Sequence, residues 1–185
     1  MKVCLKQFNV YFALAALVLL CGCKSGSFFK HDKPDAALRI HLEFDADITD
    51  GMGSVGSATV LRDNPVEYKI LDEPALTEAN VIGARILDTP GGFAIEIRFD
   101  ESGSYILEQD TAANPGKHLL IFGQWGDKKA DGRWLAAQII THRVPDGVLA
   151  FTPDMSRDEA EKLVQGLNEI AKDNIDQQLP PKSSQ

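Results

Sequence analysis

The chain has 185 residues, with 27 acidic against 19 basic side chains and a net charge of −8. That balance excludes a nucleic-acid role, which needs a basic face, and a polybasic attachment to a membrane surface. All three cysteines fall within the first 23 residues, so the remainder has no thiol, no disulfide and no cysteine metal site, and must hold together by its apolar core.

The chain opens Met1-Lys2-Val3-Cys4-Leu5-Lys6, a short positive segment, and Phe8 to Leu20 is almost wholly apolar. A run of that length suits the apolar region of a signal peptide and falls short of the roughly 20 residues that span a bilayer. Leu20-Cys21-Gly22-Cys23 then reads as a lipobox, in which the thiol of Cys23 takes diacylglycerol and small Gly22 admits the peptidase. Cys21 is the competing position, but bulky Leu20 directly before it argues against cleavage there. Several acyl chains on Cys23 would anchor firmly where one holds only marginally. Lys24 follows; an Asp at that place retains many such proteins at the inner membrane, so its absence favours the outer membrane. The expected organisation is a signal peptide over 1–22, a flexible tether over 23–36, a folded domain over 37–172 and a disordered tail over 173–185.

Leu38 to Phe44 alternates apolar and polar residues and predicts a half-buried strand. Gly51 to Gly56 predicts a flexible break, followed by strands at Ala58–Leu61 and Val66–Ile70 around Asn64-Pro65. Val81–Leu87 and Phe93–Phe99 predict a hairpin across Asp88 to Gly92, with the Phe and Ile side chains of the second arm inward and Glu96 and Arg98 in water. Asp100 is placed to cap a helix running to about Ala112 and ended by Asn114-Pro115-Gly116. Strands at Leu119–Phe122 and Leu135–Ile140 follow, joined by the polar turn Gly126 to Lys129. Ser156-Arg157-Asp158-Glu159 is a capping box, and behind it Ala160, Leu163, Val164, Leu167 and Ile170 recur at helical spacing. The predicted class is α+β, a mainly antiparallel sheet with two to three helices packed on one face.

Chemistry is sparse. His31, His41, His118 and His142 have no partner at metal-ligand spacing, and each is expected to be a half-exposed side chain without a special role. Asp72-Glu73 and Asp158-Glu159 fall in a turn and a helix first turn, where carboxylates serve caps and solubility. No serine sits in a nucleophile elbow. Gly51-Met52-Gly53-Ser54-Val55-Gly56 matches a dinucleotide-binding fingerprint by letters, but no strong helix follows it, so it reads as a loop. Trp125, Trp134, Phe122 and Phe151 fit either a binding face or the core, with Phe122 assigned to the core and the tryptophans left open. No cofactor or metal is expected, and the expectation is a protein that is not an enzyme.

From Glu73 onward several pieces follow one another in a familiar order. They are Glu73-Pro74-Ala75-Leu76-Thr77, the arm Phe93–Phe99, Asp100-Glu101-Ser102-Gly103-Ser104 opening a helix, and Thr111 to Lys117 with its Asn114 and Gly116. The strand His118 to Ile121 comes next, and Phe151-Thr152 with Asp158-Glu159-Ala160 and Leu163 close the series. Over about 73–170 the chain resembles the head subdomain in the first periplasmic region of the SecD protein-export subunit. The resemblance implies a head-like binding module for polypeptide or an envelope protein partner, linked to export. It does not extend to motor function, because in the export subunit that head is inserted between membrane-spanning segments, whereas a lipid on Cys23 is expected here. The turn from Asp127 to Gly132 is also more polar than the family pattern. The expected location is the cell envelope, on the outer membrane facing the periplasm. The alternatives are a scaffolding lipoprotein without a ligand and an envelope hydrolase whose carboxylates the fold brings together.

Overall fold

The structure, a computed structural model, describes residues 36–44, 54–126 and 131–178. Nine strands lie in these segments: β1 Ala37–Leu42, β2 Val55–Val60, β3 Val66–Leu71, β4 Leu76–Thr77, β5 Val81–Thr89, β6 Gly92–Phe99, β7 His118–Trp125, β8 Asp131–Ile139 and β9 Val148–Phe151. Helix α1 spans Glu101–Ala113 and α2 spans Arg157–Gln178. The class is α+β, as the alternation and caps predicted. The sheet is not single: β4-β1-β7-β8, β2-β3 and β5-β6-β9 form three antiparallel groups.

The helix ends form where their sequence signals lie. The Asp100 carboxylate accepts the Gly103 N–H at 2.7 Å and caps α1. At α2 the box is reciprocal, with Glu159 Oε2 accepting the Ser156 N–H at 2.7 Å while the Ser156 hydroxyl accepts the Glu159 N–H at 3.4 Å. Helix α2 runs to Gln178, past the Lys172 at which the folded part was expected to end. Ala36, expected in the tether, is fully buried. A Cβ on Gly166 of α2 would stand 2.5 Å from the Ala36 Cβ, so only a glycine lets the helix approach the start of β1 this closely.

The main core gathers Leu38, Ile40, Ile95, Ile97, Leu107, Ile121, Trp125, Leu135, Leu163 and Leu167 from both larger sheets and both helices. Full burial of each such side chain is worth roughly 1.5–3 kcal/mol. A register shift between Ile121 and Phe122 leaves one extra residue in β8, and this turns both Leu135 and Ala136 toward that core. The other face of the four-stranded sheet is not bare. The β2–β3 hairpin covers it, and Ala58, Val60, Ile70 and Leu120 make a second, smaller core with Tyr68, Trp134 and Ala137 at its margin. The expectation that one face carries all the packing is therefore corrected: helix α2 lies against one side of this sheet and a hairpin against the other.

The hairpin is fixed at both ends. At its base the Phe44 N–H donates to the Lys69 carbonyl at 2.8 Å, and Glu43 bridges to Ile70. At its tip the Arg62 guanidinium and backbone N–H both reach the Asp154 carboxylate, at 3.0 and 2.9 Å. Leu61 beside it adopts a left-handed conformation, with φ 67°, which is uncommon for a side chain of its size. The free edge of β5 is closed differently. Asn168 of α2 accepts the Ala84 N–H at 2.8 Å and donates to the Ala84 carbonyl at 2.9 Å, so one side-chain amide takes the place of a neighbouring strand.

Candidate functional site

The two larger sheets meet along β8 and β9 but do not join. The Asp154 N–H donates to the Leu135 carbonyl at 2.8 Å, and this bond pins the two strands at one end. Beyond it they part. In β8 the Ile140 N–H donates back to Lys117, so the residues paired toward β7 alternate with Ala137 and Ile139, whose peptide groups face outward. In β9 the Phe99 N–H donates to the Gly147 carbonyl, which places the peptide groups of Val148 and Ala150 on the outward side. The Val148 N–H is taken up by the Asp146 carboxylate at 3.2 Å, and the Gln138 side chain reaches the Ile139 carbonyl at 3.4 Å. The N–H and C=O of Ala150 and of Ala137 have no partner among the described residues.

Between these edges lies a cavity of about 320 Å³. Its apolar lining comes from Leu119, Ile140, Val144 and Leu149, and its polar rim from Gln138, Thr141, His142 and Asp146. Thr111 of α1 holds the closing loop in place. Its buried hydroxyl donates to the Leu107 carbonyl at 2.7 Å and accepts the Val144 N–H at 3.0 Å. Arg143 pairs with Glu108 on the same helix. The chemistry on offer is main-chain donors and acceptors over an apolar floor, the surface an extended segment needs for strand addition.

The structure disperses the other candidates. Among the described residues no group of three or more His, Asp or Glu side chains could hold a metal. His142 is exposed beside the Thr141 hydroxyl at 3.0 Å. His118 meets Glu43, its Nδ1 donating to Oε2 at 2.7 Å, and its ring lies 4.9 Å from that of Tyr68. His41 departs from expectation: it is 6% exposed, covered by the hairpin that the strand's alternation could not reveal. Its Nδ1 lies 2.8 Å from the Leu71 carbonyl, which can only accept, so Nδ1 holds the proton. Burial lowers the pKa of this imidazole below its usual 6.5, partly offset by that hydrogen bond. Burial also pushes the Asp110 carboxyl up.

Trp125 is core, 1% exposed, with the Arg133 guanidinium 4.9 Å above its ring. Phe151 is core as well. Phe122, expected there, is half-buried on the hairpin side and lies edge-on to Trp134, ring centroids 5.4 Å apart. Asp72 and Glu73 are exposed, and Glu159 serves its cap and Arg133. Gly56 lies inside β2, so a strand follows the glycine-rich segment instead of the helix a dinucleotide site needs; Gly51 to Gly53 lie outside the described residues, as do Cys23, His31 and the turn 127–130.

Sequence reading missed β9 and with it the cavity. The signal was present in Val148-Leu149-Ala150-Phe151, an apolar run between Gly147 and Pro153.

No family model matches the sequence, and no curated protein matches it significantly. Solved structures of SecDF do share its fold. One, described as a membrane component that enhances protein export, is 18% identical, with 78% of this chain covered and 71% of that one, at a TM-score of 0.51. Another, SecDF in a super-membrane-facing form, is 19% identical at a TM-score of 0.51 and covers 74% of this chain. This chain spans only 19% of the length of that second protein. At such identity the likeness is one of fold.

Proposed function

We propose that this protein is a non-enzymatic, lipid-anchored binding module of the cell envelope that takes up an extended polypeptide segment between β8 and β9, in support of protein export. The observation that carries the reading is the pair of outward-facing edges at Ile139 and Ala150, which line one cavity with an apolar floor. The fold blocks the edge of β5 with Asn168, whereas here Asp146 takes up the Val148 N–H and Gln138 the Ile139 carbonyl while the Ala150 peptide groups stay open. His142 and Asp146 at the rim are engaged with Thr141 and Val148, which favours binding over hydrolysis. The SecDF likeness in fold supports a link to export.

Ala150→Pro tests the site. Proline is tolerated on an edge strand whose N–H points outward, so the fold should persist. Binding of a permanently unfolded, alkylated polypeptide, followed by fluorescence anisotropy, should weaken by about tenfold or more, the worth of one main-chain hydrogen bond of roughly 1.4 kcal/mol. Equal binding by wild type and variant, or no binding by either, would overturn the reading.

The anchor is tested separately. Among the described residues no helix is long and apolar enough to cross a membrane. Attachment on this reading rests on Cys23, with the outer membrane as its place. Cys23→Ala should move the protein from the membrane pellet to the soluble fraction on fractionation, and a variant that stays fully in the pellet would rule out the lipid as the anchor.

A further inference from the structure

We propose that His41 is a proton-operated latch that holds the base of the β2–β3 hairpin onto the four-stranded sheet and releases it on mild acidification. The two histidines beneath this hairpin stand in opposite surroundings. His118 has the Glu43 carboxylate at 2.7 Å. Among the described residues no carboxylate lies within hydrogen-bond reach of His41. Its Nδ1–H donates to the Leu71 carbonyl, where the hairpin ends.

Arg39, two residues along β1, opposes a positive charge on His41, whereas Asp72, just beyond β3, favours one. The other elements packed here present Leu120 from β7, Trp134 and Ala137 from β8, Ala58 and Val60 from β2, and Ile70 and Tyr68 from β3. The Trp134 ring lies edge-on, its centroid 5.3 Å from that of His41. Glu67 and Lys69 point from β3 to the solvent face. Among the described residues the Glu43–His118 pair completes the set. A second proton on His41 therefore goes into a largely apolar seam with one cation and one anion nearby, and burial already disfavours it.

Opening here need not unfold the molecule. The hairpin's core is separate from the main core, which contributes none of its four buried residues. The tip also holds: hydrogen bonds from Arg62 lower the pKa of the Asp154 carboxyl below its usual value, so that pair stays charged through mild acid. The base would lift while the tip stays tied, uncovering Leu120, Trp134 and Ala137.

The sign follows from linkage. The folded-state pKa of His41 is lowered, so the stabilisation of the docked state is complete above about 6.5 and is lost as pH falls below it through the folded value. Opening takes up at most one proton, so the open fraction rises as pH falls through that window, with a limiting slope of about tenfold per pH unit.

Hydrogen–deuterium exchange of the full chain from pH 7.5 to 5, corrected for intrinsic chemical exchange, reads this directly. Protection in residues 55–71 should fall with that slope while α2 and the β5–β6 pair stay protected. His41→Gln, which keeps a donor for Leu71, should abolish the slope, and His118→Gln should retain it. NMR titration of the wild-type His41 ring checks the same point without a variant: its protonation must coincide with the loss of protection. A slope that survives His41→Gln, loss of protection spread evenly over the chain, or protonation of His41 with no change in residues 55–71 would each overturn the latch.

Discussion

Trp125→Ala is expected to cost about 3–5 kcal/mol, the range for removing a large buried aromatic, and to bring the domain close to unfolding at 25 °C. The ring is 1% exposed and sits in the main core, so its loss leaves a cavity lined by side chains that cannot collapse into it. Arg133, which lies over the ring, also loses its aromatic partner. Trp134 makes the informative contrast. It is half-buried at the margin of the smaller core, so Trp134→Ala should cost well below that amount and act on the hairpin. Urea unfolding of both variants checks the difference. Equal midpoints would show that Trp125 is not the core residue its burial makes it.

Gly147→Ala is expected to cost roughly 3 kcal/mol by two mechanisms that can be separated. Gly147 has φ 65°, a left-handed conformation that charges an L side chain about 1–2 kcal/mol. An added Cβ would also stand 1.8 Å from the Ser104 hydroxyl and 2.7 Å from the Ser104 Cβ, so α1 or the chain entering β9 must shift. Introduced into Ser104→Gly, the same substitution loses both close side-chain contacts and keeps the backbone of that residue at 3.4 Å, so its cost should fall toward the conformational part. Undiminished cost in that background would mean the contact with α1 is unimportant. Because Gly147 leads into β9, the single variant should also weaken polypeptide uptake between β8 and β9.

These positions show what local sequence can and cannot reveal. The second hairpin arm was legible because Phe93, Ile95, Ile97 and Phe99 alternate over a full strand length, and all four meet the main core. The caps at Asp100 and Ser156 were legible because each is a bond between residues three apart. Strand β9 was not: with four residues, all apolar, it has no readable period, and only its pairing with β6 some fifty residues away makes it a strand. The cavity went unseen for the same reason, since one of its walls is β9.

By itself the sequence determined the class, most of the strands and both helix starts, along with the Cys23 lipobox expectation, because periodicity, caps and processing motifs are short-range patterns. Tertiary structure decided which faces are covered, which edges stay open and how residues of one type differ. His41 and His118 each fall among apolar strand residues, yet one hydrogen-bonds a carbonyl of the hairpin that covers it and the other meets the Glu43 carboxylate just beyond β1. Alternation tells a side chain which side of a strand it occupies. What waits on that side comes from chain elements 30 and 75 residues distant, a relation that no local pattern encodes.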